Sequence, residues 1–351
     1  MKDVIFYSYY HESNAVGSLR SKALEDVLGD RFKLDIRYYK TRNTYRQSTT
    51  QKENRSLWLK KLTSSIRSID ESLFGHFFRE EILKIIREDR NHKRIIYCTY
   101  KPVANIILGV FRKLIHGGYL VLEFRDLMSL FGRKPKISVL HQIDTFFEKM
   151  LLRSADLIVV VSKTQKEKLQ QLTNKKIIVI TNGVDSYSQV EPIKSENVSL
   201  LYAGSLSKDR DLTNILEWLR ETDVRVYVAT KRLPDNISGN KKIEHVGWLE
   251  EKALDELCKK VNGFILLEGH GEDSNENIPA KLFYYLKFRK TIIADIGVSS
   301  DIWGLSGIHN VLIDIKSKEY SELDMLKACP QIRELERRFI LSKLVNQLDG
   351  L

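Results

Sequence analysis

The chain runs twice through one pattern, in which short apolar runs alternate with longer segments whose apolar residues recur at helical spacing. DVIFYS at 3–8 opens the first cycle and is followed by a helical period over 14–28. VSLLYAG at 198–204 opens the second cycle. Apolar strands that alternate with helices predict parallel sheets covered on both faces. The predicted fold class is therefore α/β, with two doubly wound, Rossmann-like parallel-sheet domains that face each other across a crevice.

The domain boundaries follow from length and from a polar break in the pattern. The 351 residues are too many for one ordinary core and sufficient for two. Residues 185–197 are polar and include Pro192, as expected of a linker. We therefore predict one domain over 1–185, a second over 186–330, and a C-terminal helix over 331–351 that returns to the first domain. The other predicted strands are RIIYCT (94–99), YLVLEF (119–124), DLIVVVS (156–162), KIIVI (176–180), RVYVAT (225–230), KIEHVG (242–247), GFILLE (263–268) and TIIAD (291–295).

Composition indicates the cellular setting. No run of about 18 or more uncharged apolar residues occurs, so the sequence predicts no transmembrane helix. The opening residues, MKDVIFYSYYHES, turn polar too soon for a secretory signal. Cys98, Cys258 and Cys329 are the only cysteines, and their spacing matches no metal or redox motif. These features predict reduced thiols in a cytoplasmic protein.

Positive charge is concentrated in the first half of the sequence. Residues 1–185 hold 34 Lys and Arg against 20 Asp and Glu, whereas 186–351 hold 23 against 26. Within 31–67 there are 11 basic and 2 acidic residues mixed with tyrosines and Trp58, and 72–88 has an amphipathic period. This composition is typical of a loop and helix that associate with an anionic membrane, here at its inner face. The alternative is a solvated basic insertion followed by an ordinary core helix.

Two strand-to-helix turns in the second half suit a nucleotide sugar. Its diphosphate needs backbone N–H groups at a helix N-terminus and a fixed cation. The turn GSLSKDRD at 204–211 offers glycine for close approach, with Lys208 and Arg210 as candidate phosphate partners. The segment 269–281 leads into a helix that Pro279 can start. Each turn alone is a weak signal, because an ordinary capped helix explains it as well.

The order of the motifs is more specific than any one of them. It resembles the retaining glycosyltransferases of family 4, which have the GT-B fold, and the resemblance spans nearly the whole chain. The similar segments are LRSKALEDVL, FRDLMSLFG, SADLIVVVSKTQKEKL, TNGVD, LLYAGSLSKDRDL, HVGWLEEKALDELC and ENIPAKLFYYLKFRKTIIA. The resemblance implies an acceptor-side first domain and a second domain that binds the nucleotide-sugar donor.

The resemblance also implies roles for individual residues. The implied catalytic residues are Arg210, Glu276 and Asp126. The implied donor site consists of Gly204, Ser205, Lys208, Arg210, Glu276, Asn277, Ile278, Pro279, Lys281 and Tyr284. The implied acceptor side contains Gly17, Arg20, Arg125 and Asp126.

Three positions depart from the family's pattern. Tyr284 stands where the family has a glutamate that holds the ribose. Ser205 stands where it has a phosphate-binding arginine, so that one cation is missing, for which Lys208 or Lys281 can compensate. Arg125, rather than a histidine, precedes Asp126. These departures leave the nucleotide and the sugar open.

The implied function is transfer of a hexosyl or related sugar, with retention of configuration, from a nucleotide-diphosphate sugar to a lipid-linked or glycan acceptor. Cell-surface polysaccharide biosynthesis is the expected setting. In this fold the leaving phosphate is thought to take the acceptor's proton, so the protein stabilises charge on the diphosphate and supplies no nucleophile. The nearest approach to an Asp-X-Asp metal pair is DRD at 209–211, whose charges are better explained as caps of the following helix. We therefore expect neither a metal nor another cofactor.

Three other functions fit parts of the sequence. A nicotinamide oxidoreductase needs Gly-X-Gly-X-X-Gly after the first strand, but 11–17 contains one glycine. A nucleic-acid-binding protein would explain the basic half but not two α/β cycles, and no such module is visible, so we expect no nucleic-acid partner. An epimerase of nucleotide sugars with the same fold is the hardest to exclude, although it needs acid–base carboxylates.

Overall fold

The computed structural model describes residues 2–9, 16–39, 71–88, 94–100, 102–127, 138–189, 198–207, 212–220, 222–235, 237, 239–268, 278–317 and 328–350. The chain forms two compact units: Met1–Thr181 with Ile340–Leu351, called the first unit, and Asn182–Phe339, called the second unit. Each unit contains a six-stranded sheet whose neighbouring strands are all parallel. The predicted α/β class, with one doubly wound parallel sheet in each half, is confirmed.

In the first unit, strands and helices alternate along the chain. The strands are β1 (Asp3–Tyr9), β2 (Lys33–Tyr39), β3 (Ile95–Tyr100), β4 (Tyr119–Phe124), β5 (Leu157–Val160) and β6 (Lys176–Val179). The helices are α1 (Val16–Gly29), α2 (His76–Arg87), α3 (Val103–His116), α4 (Ser138–Ser154) and α5 (Lys163–Gln170). The strand order in the sheet is β2-β1-β3-β4-β5-β6. Strands β3 and β5 are buried along their whole length, as expected when helices cover both faces.

Alternate residues of the central strands supply two separate cores. Ile5 and Tyr7 of β1 lie in a cluster to which α2, α3 and α4 contribute. Val4 and Phe6 lie in a second cluster with residues of α1. Because successive side chains of a strand point to opposite faces, the two clusters fill the two sides of the sheet.

One sequence prediction needs correction. Residues 33–39 were expected within a basic surface loop over 31–67, but they form β2, which pairs in parallel with β1 at the edge of the sheet. In KLDIRYY the half-buried Leu34 and Ile36 alternate with charged residues, which is typical of an edge strand. The charge of Arg37 is balanced by Asp35, whose carboxylate accepts bonds of 2.6 and 2.9 Å. The remainder of the predicted basic segment, 40–67, lies outside the described residues.

Helix α2 lies within the predicted amphipathic segment 72–88 and packs on the first unit. Its Ile85 is buried, and Phe77, Phe78 and Ile82 pack partly buried against the same core. The apolar side of the helix therefore packs into the core, as expected of an ordinary core helix.

The second unit has the same architecture with a different strand order. Its strands are β7 (Ser199–Ala203), β8 (Arg225–Ala229), β9 (Ile243–His245), β10 (Gly263–Leu267), β11 (Thr291–Asp295) and β12 (Leu312–Asp314). Its helices are α6 (Thr213–Arg220), α7 (Glu251–Lys260) and α8 (Ala280–Leu286). The sheet order is β12-β11-β10-β7-β8-β9. The three-residue strand β12 was not predicted.

The last helix, α9 (Arg337–Asp349), contributes to the core of the first unit. Leu341, Leu344 and Leu348 are fully buried in the cluster that contains β1 and α1. The chain before this helix is tied to the start of the second unit, where Val184 N donates to Leu335 O at 2.8 Å.

Three further properties of the described residues bear on function. The helices described in this structure are all too short or too polar to cross a membrane. The cysteines Cys98, Cys258 and Cys329 are buried and free. Among the described side chains, no group of three or more His, Cys, Asp or Glu is placed to hold a metal ion.

Candidate functional site

The carboxyl edge of the second sheet, where its parallel strands end, is the first place to look for a ligand site. Strand β7 ends at Ala203 and is followed by Gly204, whose φ of +145° is a conformation that side chains rarely adopt. The backbone N–H of Gly204 donates to Ala229 O at 3.0 Å, which ties the turn to β8. Ser205 is exposed, and its carbonyl accepts a bond of 2.8 Å from the Tyr202 hydroxyl. This turn therefore presents backbone and a small hydroxyl at the edge.

Lys281 brings a cation to the same edge. It lies in the first turn of α8, which begins after Pro279 and the buried Ile278. Its Nζ donates to Leu267 O, at the end of β10, at 3.1 Å. The same Nζ lies 5.2 Å from the centroid of the Tyr202 ring. Tyr202 also holds the Ser205 turn, so Lys281 and the turn share one supporting side chain.

Tyr285 fixes helix α8 against β7. Its hydroxyl accepts from Ala203 N at 2.9 Å and contacts Ala203 O at 3.3 Å. Its ring stacks on Phe264 with a centroid distance of 4.5 Å and an interplanar angle of 2°. Burial raises the pKa of the Tyr285 hydroxyl, so the group stays neutral. The position of Lys281 relative to the Gly204 turn is therefore set by buried contacts.

Tyr284, predicted to contact the ribose, points its hydroxyl at helix α7. The hydroxyl donates a short hydrogen bond to Asp255 Oδ1, and Lys287 Nζ lies 3.0 Å from Asp255 Oδ2. Burial, followed by the bond to Asp255, raises the pKa of Tyr284. The hydroxyl thus joins α7 to α8, while its lone pairs remain chemically able to accept a further bond. Its contact with a ribose stays a prediction.

Two side chains that sequence reasoning missed, Lys231 and Trp248, lie just beyond the ends of β8 and β9. Trp248 is 58% exposed, and Lys231 Nζ lies 5.3 Å from its ring centroid. The neighbouring Gly247 has a φ of +73°. His245 Nε2 lies 2.9 Å from Thr230 O and so ties the two strand ends together. An exposed aromatic face beside a cation suits a flat, polar group such as a nucleobase or a sugar ring. Trp248 lies within HVGWLEE, so the family-like segment carried a usable signal.

Two buried carboxylates were missed as well. Glu268 directly follows β10, and Asp295 is the last residue of the adjacent strand β11. Glu268 N donates to Asp295 O at 3.1 Å. Asn214 Nδ2 donates to Asp295 Oδ2 at 2.7 Å. Buried carboxylates at a carboxyl edge are common in enzyme sites. Both residues end apolar runs that had been interpreted as strands alone.

The described residues do not include four of the predicted donor residues, Lys208, Arg210, Glu276 and Asn277. The roles of these four stay predictions. Among the others, the structure brings Gly204, Ser205 and Lys281 to one edge, and Ile278 and Pro279 start the helix that carries Lys281.

In the first unit, Arg20 is the centre of a buried charge network. Its Nε lies 2.6 Å from Glu123 Oε1, and its two terminal nitrogens donate to Thr181 O at 2.5 Å and Ile180 O at 2.9 Å. The Tyr97 hydroxyl donates to Glu123 Oε2 at 2.9 Å. Arg20 is 1% exposed, so these contacts give it a structural role. Its predicted contact with an acceptor stays a prediction.

The charge state of Glu123 follows from this surrounding. Burial alone would raise its pKa, but the charges of Arg20 and Arg125, with bonds from Arg20 and Tyr97, hold the pKa below its ordinary value. Glu123 is therefore an ionised carboxylate in a dry setting.

The remaining acceptor-side predictions lie near the end of β4. Arg125 and Asp126 directly follow this strand and are half-buried. Arg125 donates to Ser21 Oγ at 3.1 Å, and its Nε is 3.6 Å from Glu123 Oε1. Gly17 lies in the first turn of α1. Arg125 thus joins the network of Arg20, and both residues lie at the carboxyl edge of the first sheet.

This architecture matches solved structures over the whole chain. Sucrose-phosphate synthase from Thermosynechococcus elongatus aligns with a TM-score of 0.55 at 10% identity, covering 100% of both chains. WaaG, a glycosyltransferase involved in lipopolysaccharide biosynthesis, aligns with a TM-score of 0.51 at 11% identity, covering 98% of this chain and 92% of that one. A protein from Listeria monocytogenes assigned as a UDP-N-acetylglucosamine 2-epimerase aligns with a TM-score of 0.52 at 11% identity, covering 100% and 96%.

These similarities show that the chain has the GT-B fold, as predicted. At such low identities they establish the fold alone, because one fold hosts several chemistries. No protein-family model and no curated protein sequence matches the chain. Membership of family 4 and the retaining mechanism stay predictions.

Proposed function

We propose that this protein is a retaining glycosyltransferase that moves a hexosyl or related sugar from a nucleotide-diphosphate sugar to a lipid-linked or glycan acceptor. The observation that carries the proposal is the carboxyl edge of the second sheet. There the Gly204–Ser205 turn, Lys281 and Trp248 provide backbone, cation and aromatic face on strand ends of a GT-B fold. The motif order of the sequence supports the same assignment.

The donor's parts match these groups by chemistry. Lys281 is proposed to pair with the diphosphate. Lys208 and Arg210, in the turn that follows β7, are proposed to add positive charge to the same site. Trp248 with Lys231 suits the nucleobase. Glu276 and Asn277 are proposed to bind the sugar, and Tyr284 the ribose through its hydroxyl. Charge that develops on the departing diphosphate would be stabilised by these cations, with Arg210 and Glu276 as the central catalytic residues and no metal or other cofactor.

The acceptor is proposed to bind to the first unit. Arg125 and Asp126 follow β4, and Gly17 lies at the start of α1, all at strand or helix ends where ligands of this fold bind. Asp126 is the proposed catalytic group on this side. The basic composition of 40–67, the part of the predicted segment that lies outside β2, is the sequence feature that favours a lipid-linked acceptor, cell-surface polysaccharide as the product, and a cytoplasmic enzyme peripheral to an anionic membrane.

A titration with nucleotides tests the donor site. A thermal-shift panel of nucleotide sugars should reveal one that raises the melting temperature, because a ligand that binds the folded state stabilises it. Calorimetric titration should then show that Lys281→Met weakens binding of the matching nucleotide diphosphate about tenfold, or about 1.4 kcal/mol.

Lys287→Met is the matched control for this titration. Lys287 lies directly after the same helix but is bound to Asp255, so its loss should leave affinity within about twofold. Equal affinity of the native protein and both variants would refute the site assignment. Failure of every nucleotide sugar to bind would refute the proposed function.

An epimerase of nucleotide sugars is the second candidate. The observation that favours it is the pair of buried carboxylates, Glu268 and Asp295, on neighbouring strand ends, since epimerisation needs acid–base groups. The two functions are separated by incubating the matching nucleotide sugar in deuterated water without an acceptor. Incorporation of deuterium into the sugar ring would identify an epimerase, whereas a transferase leaves the ring protons in place.

A further inference from the structure

We propose that the first unit binds the surface of an anionic lipid bilayer through the outer faces of α2, α3 and α4. This inference rests on the proposed function for its biological purpose, which is access to a lipid-linked acceptor. The binding itself can be measured without any transferase activity, so the two proposals fail separately. The surface is distinct from the segment 31–67 to which sequence composition pointed.

The first observation is where exposed apolar side chains occur. Among the described residues, seven large hydrophobic side chains are exposed, and five of them lie on these three helices. The two others, Trp248 and Val298, belong to the second unit. The five are Leu83 and Ile86 on α2, Leu114 on α3, and Phe146 and Met150 on α4. We call these five side chains the apolar face.

The second observation is that the three helices lie side by side near their C-terminal ends. His116 Nε2 at the end of α3 lies 2.5 Å from Ile85 O of α2. On the other side, Lys113 Nζ donates to Ser154 O, the last residue of α4, at 2.9 Å. Helix α3 is therefore flanked by α2 and α4. The apolar face is therefore carried by three neighbouring helices.

The middle helix adds one exposed side chain to the apolar face. Ile107, Val110 and Phe111 pack partly buried against the core cluster that contains Leu108. Leu114 follows them at helical spacing and is 76% exposed. The apolar stripe of α3 therefore starts in the core and ends in solvent at Leu114.

The third observation is the charge around the apolar face. On the described parts of these helices the exposed basic residues are Arg79, Lys84, Arg87 and Arg153, against the exposed acid Glu80. Arg153 follows Met150 on α4, and Arg87 follows Ile86 on α2. Apolar side chains that enter the headgroup region, with cations around them, are the composition that binds anionic bilayers.

The charge also argues against a second copy of this chain as the occupant. In a symmetric dimer the same patch meets itself, so Arg87 and Arg153 would face like charges. An anionic bilayer attracts the same residues. The partner that fits both the apolar side chains and the positive rim is therefore a lipid surface with negative headgroups.

Vesicle co-sedimentation of the full chain tests the proposal. Native protein should bind vesicles of phosphatidylglycerol and phosphatidylcholine, and binding should weaken with salt. The double variant Leu114→Ser with Phe146→Ser should bind at least about tenfold more weakly, because two apolar anchors are lost. Arg87→Gln with Arg153→Gln should bind about 30-fold more weakly at low salt, at about fivefold per basic residue.

Matched variants in the second unit control for general effects. Val298→Ser removes an exposed apolar side chain, and Lys241→Gln with Lys252→Gln removes two exposed cations. Both should retain native binding. Since all substituted side chains are exposed, thermal melting should show that every variant is folded.

Three results would overturn the proposal. The first is native protein that ignores anionic vesicles at low salt. The second is binding that survives both first-unit variants but is lost when Trp58, Lys60 and Lys61 are replaced together, which would assign it to the basic segment. The third is a dimer in sedimentation velocity that Leu114→Ser with Phe146→Ser converts to a monomer without a change in vesicle binding.

Discussion

The carboxyl edges of the two sheets use their polar side chains in opposite ways, although each edge belongs to six parallel strands. In the first unit, Arg20, Glu123 and Tyr97 bind one another and two backbone carbonyls in a dry network. In the second unit, the edge has a turn at Gly204 and the exposed Trp248. The difference indicates that the Arg20 network stabilises the first edge, whereas the second edge leaves a turn and an aromatic face exposed. Four predictions test this contrast.

The largest effect is expected from Arg20→Ala. The substitution leaves the Glu123 carboxylate buried without its nearest cation, which costs about 3–5 kcal/mol of unfolding free energy. Differential scanning calorimetry of the full chain should show the loss in the transition of the first unit. Lys163→Ala is the control, because its pair with Glu167 is exposed and its loss costs about 0.5 kcal/mol or less. Equal losses in the two variants would show that the network does not hold this edge.

A smaller effect is expected from Gly204→Ala. A Cβ at this position would meet the Tyr202 hydroxyl at an ordinary 3.5 Å, so space is available. The positive φ is nevertheless strained for alanine by about 1–3 kcal/mol. Urea unfolding should show this loss, and nucleotide binding should weaken with it. Gly304→Ala, at an open position of the same unit without a positive φ, should be nearly neutral; a similar loss there would contradict the assignment.

Tyr284→Phe should cost about 1 kcal/mol of stability, because one hydrogen bond to Asp255 is lost while Lys287 remains to balance the carboxylate. Tyr227→Phe, another partly buried tyrosine of the second unit, serves as the control. Nucleotide affinity, measured by calorimetry, should fall less than in Lys281→Met. A larger fall would mean that the proposed ribose contact of the Tyr284 hydroxyl contributes more to nucleotide binding than Lys281 does.

The smallest effect is a change in the slope of stability against pH. The pKa of Glu123 lies below its ordinary 4.5 in the folded protein. The folded state therefore binds this proton less readily than the unfolded chain, and stability is present above pH 4.5 and is lost as pH falls through the folded value. Melting temperatures between about pH 6 and 3 should fall less steeply for Glu123→Gln than for native protein. Parallel curves would contradict the assignment.

Much of the fold could be predicted because buried parallel strands are apolar along their whole length. The run RIIYCT contains β3, all of whose residues are buried. The sequence was misleading where a strand is short or lies at an edge. Strand β2 alternates half-buried and charged residues, so counting its charges suggested a loop. Strand β12 was not predicted, whereas β9, which also has three residues, was predicted within KIEHVG.

The candidate site was harder to predict because its contacts join distant parts of the chain. Arg20 and Glu123 are 103 residues apart, and only the fold shows that their charges meet. The bond between Tyr284 and Asp255 likewise joins separate helices. The family resemblance directed attention to Gly204 and Lys281, which the structure brings to one edge through Tyr202. It gave no weight to Trp248, whose exposure appears only in three dimensions.

The return of α9 to the first unit has a consequence for protein synthesis. The first 181 residues leave the ribosome early, yet the core around Val4 and Phe6 is completed by Leu341, Leu344 and Leu348. The second unit, in contrast, is contained in one uninterrupted stretch of chain. The first unit is therefore completed only after the second unit has been synthesised. Until α9 emerges, the core around Val4 and Phe6 lacks these three leucines, and its uncovered apolar side chains are of the kind that chaperones shield.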